Sequence, residues 1–137
     1  MFEATCSSTS PVSMSWTPGL YVVAGGLAPW RIRRLRLYIA ENVGQRLDTA
    51  VLARLVKLSA RHFGRTFKQT FGLTVHTYVM HQRIEAAQWM MLSTSDALSS
   101  IAVSCGMSDQ AHLTRCFLRV VGETPGAWRR TRQKRRA

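Results

Sequence analysis

The chain of 137 residues is long enough for one domain with a modest core, and its hydrophobic content of 46% excludes a disordered polypeptide. The formal net charge of +12, with every Lys and Arg at or after Arg31, indicates an acidic polymer or an anionic surface as the partner. Cys6, Cys105 and Cys116 are too widely spaced to predict a zinc finger or a disulfide framework. No apolar run approaches the roughly 18 residues of a membrane span, and the N-terminus lacks a signal-peptide pattern. We therefore expect a cytoplasmic protein.

Residues 1–28 differ in composition from the rest of the chain. They are rich in Ser, Thr and Pro, lack a helical period and carry a single charge, on Glu3. This composition is typical of a flexible segment. Within it, residues 20–26 (LYVVAGG) could form a short strand, and the whole segment could be the remnant of a larger upstream domain.

The ordered part is predicted to begin with a helix that opens at Pro29, since proline suits the first turn. Apolar residues then recur at spacings of three and four, with arginines between them, until the helix ends near Gly44. The apolar positions are Ile32, Leu35, Ile39 and Val43.

Capping residues predict where the next three helices begin. Asp48 caps a short helix with an apolar stripe formed by Val51, Leu52 and Leu55. Ser59 caps a second helix, ARHFGRTFKQTF, which stops at a glycine. Thr74 caps a longer helix that runs to about residue 92.

Three more helices follow, which makes the predicted class all-α with about seven helices. A short helix covers roughly residues 98–105, Ser108 caps one that reaches Val121, and Thr124-Pro125 opens the last. Beyond it, the segment RRTRQKRR contains six basic residues in eight and no acid. We interpret residues 131–137 as a basic tail that is either a solvated helix end or a source of phosphate contacts.

An internal repeat relates the two halves of the ordered region. A shift of 50 residues brings five positions of the first half onto identical residues in the second, and a shift of 49 aligns three earlier positions. The first set is His62, Arg65, Phe67, Gly72 and Thr74, matched by His112, Arg115, Phe117, Gly122 and Thr124. The second is Leu52, Ala53 and Ser59, matched by Ile101, Ala102 and Ser108. One residue inserted between cap and helix would explain the change of shift.

Each copy has the order of a helix-turn-helix, in which a first helix braces a second that enters the major groove of DNA. The predicted arrangement is a first unit at about 29–73, a connector helix at 74–92 and a second unit at about 96–130. The connector carries two opposite apolar faces and should be covered on both. One face is Val75, Tyr78, Val79, Ala86, Trp89 and Met90, and the other is Met80, Ile84, Ala87 and Met91. A helix of that length spans about 28 Å, compatible with reading helices in adjacent major grooves roughly 34 Å apart.

Residues 29–130 resemble the DNA-binding domain of AraC/XylS-type bacterial transcription regulators. The resemblance is carried by LARLVKLSARHFGRTFKQTFGLTVHTYV, RIEAAQWMML and IAVSCGMSDQAHLTRCFLRVVGETPGAW. It implies two helix-turn-helix subdomains, sequence-specific binding of double-stranded DNA, and regulation of transcription. Three positions depart from the family pattern: Val75 stands where proline is common, Leu113 where an aromatic is common, and Lys57 where glycine often ends the bracing helix.

The helix faces predict which side chains reach DNA. Phe63, Phe67 and Phe71 should face the first core, and Leu113, Phe117 and either Val120 or Val121 the second. The predicted DNA-binding set is Arg61, Gly64, Arg65, Lys68, Ser108, Gln110, Ala111, Thr114, Arg115 and Arg119. Asp109 and Leu118 should also be exposed. Arg65 and Arg115 suit guanine and Gln110 suits adenine, whereas Arg61 could as well hold a phosphate. The alternative for each of them is a solvated charged face.

The sequence predicts neither an enzyme nor a metal or cofactor site. It contains no nucleophile beside a base and no paired carboxylates, and His62 and His112 lack further ligands. We expect double-stranded DNA as partner, bound by a monomer, with RNA polymerase a further partner of an activator and no effector domain evident. A sequence-independent RNA or nucleoid binder and a membrane-active basic protein are the alternatives.

Overall fold

The computed structural model describes residues 26–136, with side chains to Gln133, and this range contains seven helices and no strand. The predicted all-α class is therefore confirmed. The helices are α1 Pro29–Glu41, α2 Thr49–Leu55, α3 Ala60–Phe71, α4 Val75–Ser93, α5 Leu98–Ser104, α6 Gln110–Val121 and α7 Pro125–Arg136. The described chain forms two compact units, one ending at Gln82 and the other beginning at Arg83.

The ordered region starts earlier than the sequence predicted. Leu27 is buried, and its N–H donates to Thr70 Oγ1 at 2.7 Å. The proposed flexibility of residues 1–25 and the strand at 20–26 lie outside the described residues, apart from Gly26. Helix α1 ends at Glu41 rather than near Gly44.

The turn between α2 and α3 in the first unit has the same geometry as the turn between α5 and α6 in the second. In the first, the N–H of Leu58 donates to Ala53 O at 2.9 Å, and in the second the N–H of Met107 donates to Ala102 O at 2.9 Å. The residue before each donor has a left-handed backbone, with φ of 60° at Lys57 and 83° at Gly106. The lysine that stands here in place of a glycine therefore leaves the geometry of the first turn unchanged, although a side chain in this conformation costs about 1–2 kcal/mol.

The N-cap of α6 is Asp109, not Ser108 as predicted. The Asp109 carboxylate accepts the N–H of His112 at 2.8 Å, as Ser59 Oγ accepts the N–H of His62 at 3.2 Å in α3. Ser59 and Asp109 are 50 positions apart, so the inserted residue lies before the cap rather than after it. Ser108 instead donates its backbone N–H to Nδ1 of His112 at 3.2 Å.

Both helices that follow a turn end on glycine, as predicted. Gly72 and Gly122 have φ of 75° and 94°, and their N–H groups donate to the carbonyls four residues back. Thr74 and Thr124 then accept N–H groups of the next helices on their hydroxyls. Asp48 stands at the N-cap of α2 but makes no capping hydrogen bond through its side chain.

Aromatic side chains at equivalent positions form the two cores. In the first unit the Phe67 ring meets Tyr78 edge-on, with centroids 5.5 Å apart. In the second, Phe117 meets Trp128 edge-on at 5.8 Å. All four rings are buried, as are Phe63, Phe71 and Leu113. The predicted inward face is confirmed except at Val120 and Val121, which are both only half-buried.

Helix α4 is less completely covered than predicted. Tyr78 and Val79 lie in the first core, and Ile84, Ala87 and Met91 are buried. Trp89, however, is 63% exposed, so one of the two apolar faces is left open near its C-terminal end.

Arg129 in α7 holds the chain segment that connects α4 to α5. Its guanidinium donates to three backbone carbonyls: Nε to Met91 at 3.1 Å, Nη2 to Thr94 at 2.7 Å and Nη1 to Asp96 at 2.7 Å. Since Met91 O lies in the last turn of α4, this arginine caps the helix and fixes the approach to α5.

The basic segment that we separated as a tail continues α7 to Arg136. Arg132 lies over the Trp128 ring, 4.4 Å from its centroid, and pairs with Glu123 at 3.6 Å. Of the two alternatives given for residues 131–137, a helix end agrees with this backbone.

Candidate DNA interface

The outward face of α3 presents three basic side chains. Arg61, Arg65 and Lys68 are spaced by four and three residues, which places them on one side of the helix, and all three are exposed. The phenylalanines at 63, 67 and 71 occupy the opposite side and anchor α3 in its core. The structure therefore brings the predicted basic residues of the first unit together.

Gly64 lies on the same face, between the first two arginines. It is half-buried, and a Cβ at this position would meet nothing within 4 Å. The missing side chain is thus not required by packing, and it lowers the surface of α3 between Arg61 and Arg65.

The outward face of α6 is less basic. Gln110, Ala111, Arg115 and Arg119 are exposed as predicted, whereas Thr114 is half-buried. Leu118 is 48% exposed and stands 50 residues after Lys68, so an apolar group replaces an ammonium at the equivalent position. The two helices therefore offer different groups to a groove.

Ser108 and Asp109 organise the beginning of α6. With its Nδ1 accepting from Ser108, the ring of His112 would carry a proton on Nε2 when it is neutral. Sequence reasoning did not find this contact, because the repeat aligned Ser108 with a cap. His62, the equivalent of His112, is exposed.

The charge on both faces is unpaired within the described part of the chain. Neither α3 nor α6 contains an acidic residue. The guanidinium groups of Arg61, Arg65 and Arg115 make no ion pair or hydrogen bond with residues 26–133. Each face is thus a positive surface with free donors, suited to phosphate oxygens and to acceptors on base edges.

The two described cysteines are buried in the second unit. Burial raises the pKa of the Cys105 thiol to about 11, although the charge of Arg83 opposes the shift. Burial also raises the pKa of Cys116. Both thiols therefore remain protonated at neutral pH, and Cys105 packs with its sulfur 3.9 Å from that of Met90.

No helix among the described residues is long and apolar enough to traverse a bilayer.

Comparison with known proteins identifies a family for this chain. Residues 52–131 match the family described as "Helix-turn-helix domain". The transcriptional activator RhaR of Cronobacter sakazakii is 30% identical over 113 residues, which cover 80% of this chain and 40% of RhaR. The chain spans about two fifths of the length of the curated relatives it matches.

Solved structures with the same fold include a transcriptional regulator with an AraC-type DNA-binding domain from Chromobacterium violaceum. It aligns with a TM-score of 0.71 at 25% identity, covering 74% of this chain and 91% of that one. The DNA-binding domain of AdpA, solved in complex with a target DNA, aligns with a TM-score of 0.72 at 24% identity, covering 77% and 96%. With two helix-turn-helix units and a family match over more than half its length, the chain belongs to the AraC-type helix-turn-helix family of DNA-binding transcription regulators.

Proposed function

We propose that the chain binds double-stranded DNA sequence-specifically and regulates transcription, with α3 and α6 each entering a major groove and the two grooves adjacent. The observation that carries this proposal is the repeated face: an exposed arginine at equivalent positions, Arg65 and Arg115, each on a helix whose other side is anchored by buried rings. A rigidly anchored helix holds its outward side chains in register with the base edges, which direct readout requires.

The individual contacts follow from the chemistry of the side chains. Arg65 and Arg115 donate in pairs to O6 and N7 of guanine, and Gln110 pairs with adenine. Arg61, Lys68 and Arg119 supply positive charge near the groove edges, where phosphates lie. Gly64 and Ala111 leave room for the bases to approach α3 and α6, while Ser108 and Thr114 offer hydroxyls to the sugar-phosphate backbone of the DNA.

The same surfaces support a role in binding rather than catalysis. We propose that the protein is not an enzyme, acts in the cytoplasm and binds its site as a monomer. RNA polymerase is the proposed further partner where the protein activates a promoter.

The test is selection of binding sites from a random DNA pool, followed by substitution of Arg115. Arg115→Ala should weaken binding to the selected site by about 1–3 kcal/mol and relax the preference at one base pair. Arg33→Ala is the matched control, because Arg33 is an exposed arginine of α1, outside both proposed reading helices. It should leave the base preference unchanged.

Two results would contradict the proposal. If the pool yields no enriched sequence, the protein binds nucleic acid without reading it. If Arg115→Ala weakens binding equally on all sequences, Arg115 contacts phosphate and not a base. Footprinting of the selected site should show protection over about two helical turns, as two adjacent grooves require.

A further inference from the structure

The turn of the first unit imposes a left-handed backbone on residue 57, and this chain places a lysine there. The second unit makes the same turn with Gly106. The hydrogen bonds agree closely, since the N–H of Lys57 donates to Arg54 O at 3.0 Å and that of Gly106 to Val103 O at 3.0 Å. Glycine would therefore fit the first turn without the steric cost that a Cβ brings at positive φ.

Among the residues that the structure describes, no side-chain contact accounts for the lysine. Its side chain is exposed, and its ammonium makes no hydrogen bond or ion pair with residues 26–133. Lys57 lies two residues before Ser59, the N-cap of α3, and is therefore close to the N-terminal end of that helix. A conformation that is unfavourable for the residue present points to a role outside the folding of the chain.

We propose that Lys57 contacts a phosphate of the DNA strand beside the groove that α3 enters. The inference rests on the proposed DNA binding and adds a residue outside both reading helices. An ammonium is a compact point charge that phosphate oxygens accept from many directions, and such a contact positions α3 without reading sequence. The second unit, with Gly106 in its turn, lacks this contact, so the first unit contributes more of the charge-driven affinity.

The experiment compares wild type with Lys57→Gly and Lys57→Arg on two 30-base-pair duplexes, one selected from a random pool and one of unrelated sequence. Kd is measured between about 50 and 200 mM salt. Lys57→Gly should raise Kd about fivefold to tenfold near 0.1 M salt on both duplexes, and flatten the slope of log K against log salt by about one. Lys57→Arg should retain the slope. Thermal unfolding of the free Lys57→Gly protein should move up by about 2–6 °C, because the glycine relieves the turn.

The outcomes separate this inference from the proposed function. If wild type binds the selected duplex but Lys57→Gly has the same Kd and salt slope, Lys57 contacts no phosphate and the inference fails alone. If Lys57→Gly weakens binding only to the selected duplex, the lysine reads sequence and the phosphate contact is wrong. If wild type binds neither duplex, the proposed function fails and takes this inference with it. The higher unfolding temperature of the free variant shows that weaker binding does not come from a damaged fold.

Discussion

Replacement of Arg129 by alanine should destabilise the second unit, because one guanidinium satisfies three backbone carbonyls. The acceptors at Met91 and Thr94 are partly buried, whereas the one at Asp96 is exposed. A hydrogen bond from a charged donor contributes about 1.5–3 kcal/mol, and an exposed one contributes little. Counting the two partly buried bonds, with allowance for water at Thr94 O and for Gln133 Nε2, which also donates to Met91 O at 3.5 Å, we expect a loss of about 2–4 kcal/mol in the free energy of unfolding.

Urea unfolding followed by circular dichroism at the helix band measures this loss. Arg130→Ala is the control, since Arg130 is the exposed neighbour on the same helix; it should change the free energy by less than about 0.5 kcal/mol. Arg129→Lys should fall between the two, because an ammonium cannot reach three separated carbonyls in the plane that a guanidinium spans. Equal stability of Arg129→Ala and Arg130→Ala would refute the view that Arg129 fixes the segment between α4 and α5.

Two further predictions concern the pH dependence of stability and the flexibility of α3 and α6. Burial lowers the pKa of His81 from 6.5, so below about pH 6.5 the unfolded chain binds a proton that the folded chain resists. Stability should therefore fall as the pH is lowered from about 6.5, and His81→Gln should reduce the difference in urea midpoint between about pH 8 and pH 5.5; an unchanged difference would exclude His81 as its source. In the free protein, hydrogen exchange should show weaker protection in α3 than in α6, because Gly64 in mid-helix costs about 1 kcal/mol relative to alanine and Lys57 strains the preceding turn. Stronger protection in α3 would contradict this order.

The repeat and the cores could be predicted from sequence because both depend on local periodicity. Phenylalanines spaced by four residues share one face of a helix that Ser59 caps, and the glycines at 72 and 122 mark where α3 and α6 stop. The position of the insertion could not be predicted, since Ser108 and Asp109 are both good capping residues. Only the backbone geometry, with the Asp109 carboxylate on the N–H of His112, distinguishes them.

Contacts between distant parts of the chain could not be predicted from the spacing of apolar and charged residues. In the sequence Arg129 is one of several neighbouring basic residues. The three carbonyls that accept its hydrogen bonds lie 33 to 38 residues earlier. The exposure of Trp89 was missed for a similar reason, because a helical wheel shows that a face is apolar but not whether a neighbour covers it. The proposed DNA-binding set lies on helical surface with a known period, and its members are therefore exposed as predicted, apart from the half-buried Gly64 and Thr114.

If α3 and α6 contact DNA as proposed, the difference between Lys68 and Leu118 would make the two halves of the preferred DNA sequence unequal. A protein that reads DNA through two identical copies related by two-fold symmetry sees a palindrome, and the site is the same in either orientation. Here one chain carries two unequal helices at the proposed interface, α3 with an ammonium and α6 with an apolar side chain at the equivalent position. An apolar group of this kind favours the methyl of thymine, whereas the ammonium favours phosphate or guanine. Under the proposed function, inverting the site would present each half to the wrong helix, so the site would bind the protein in one orientation.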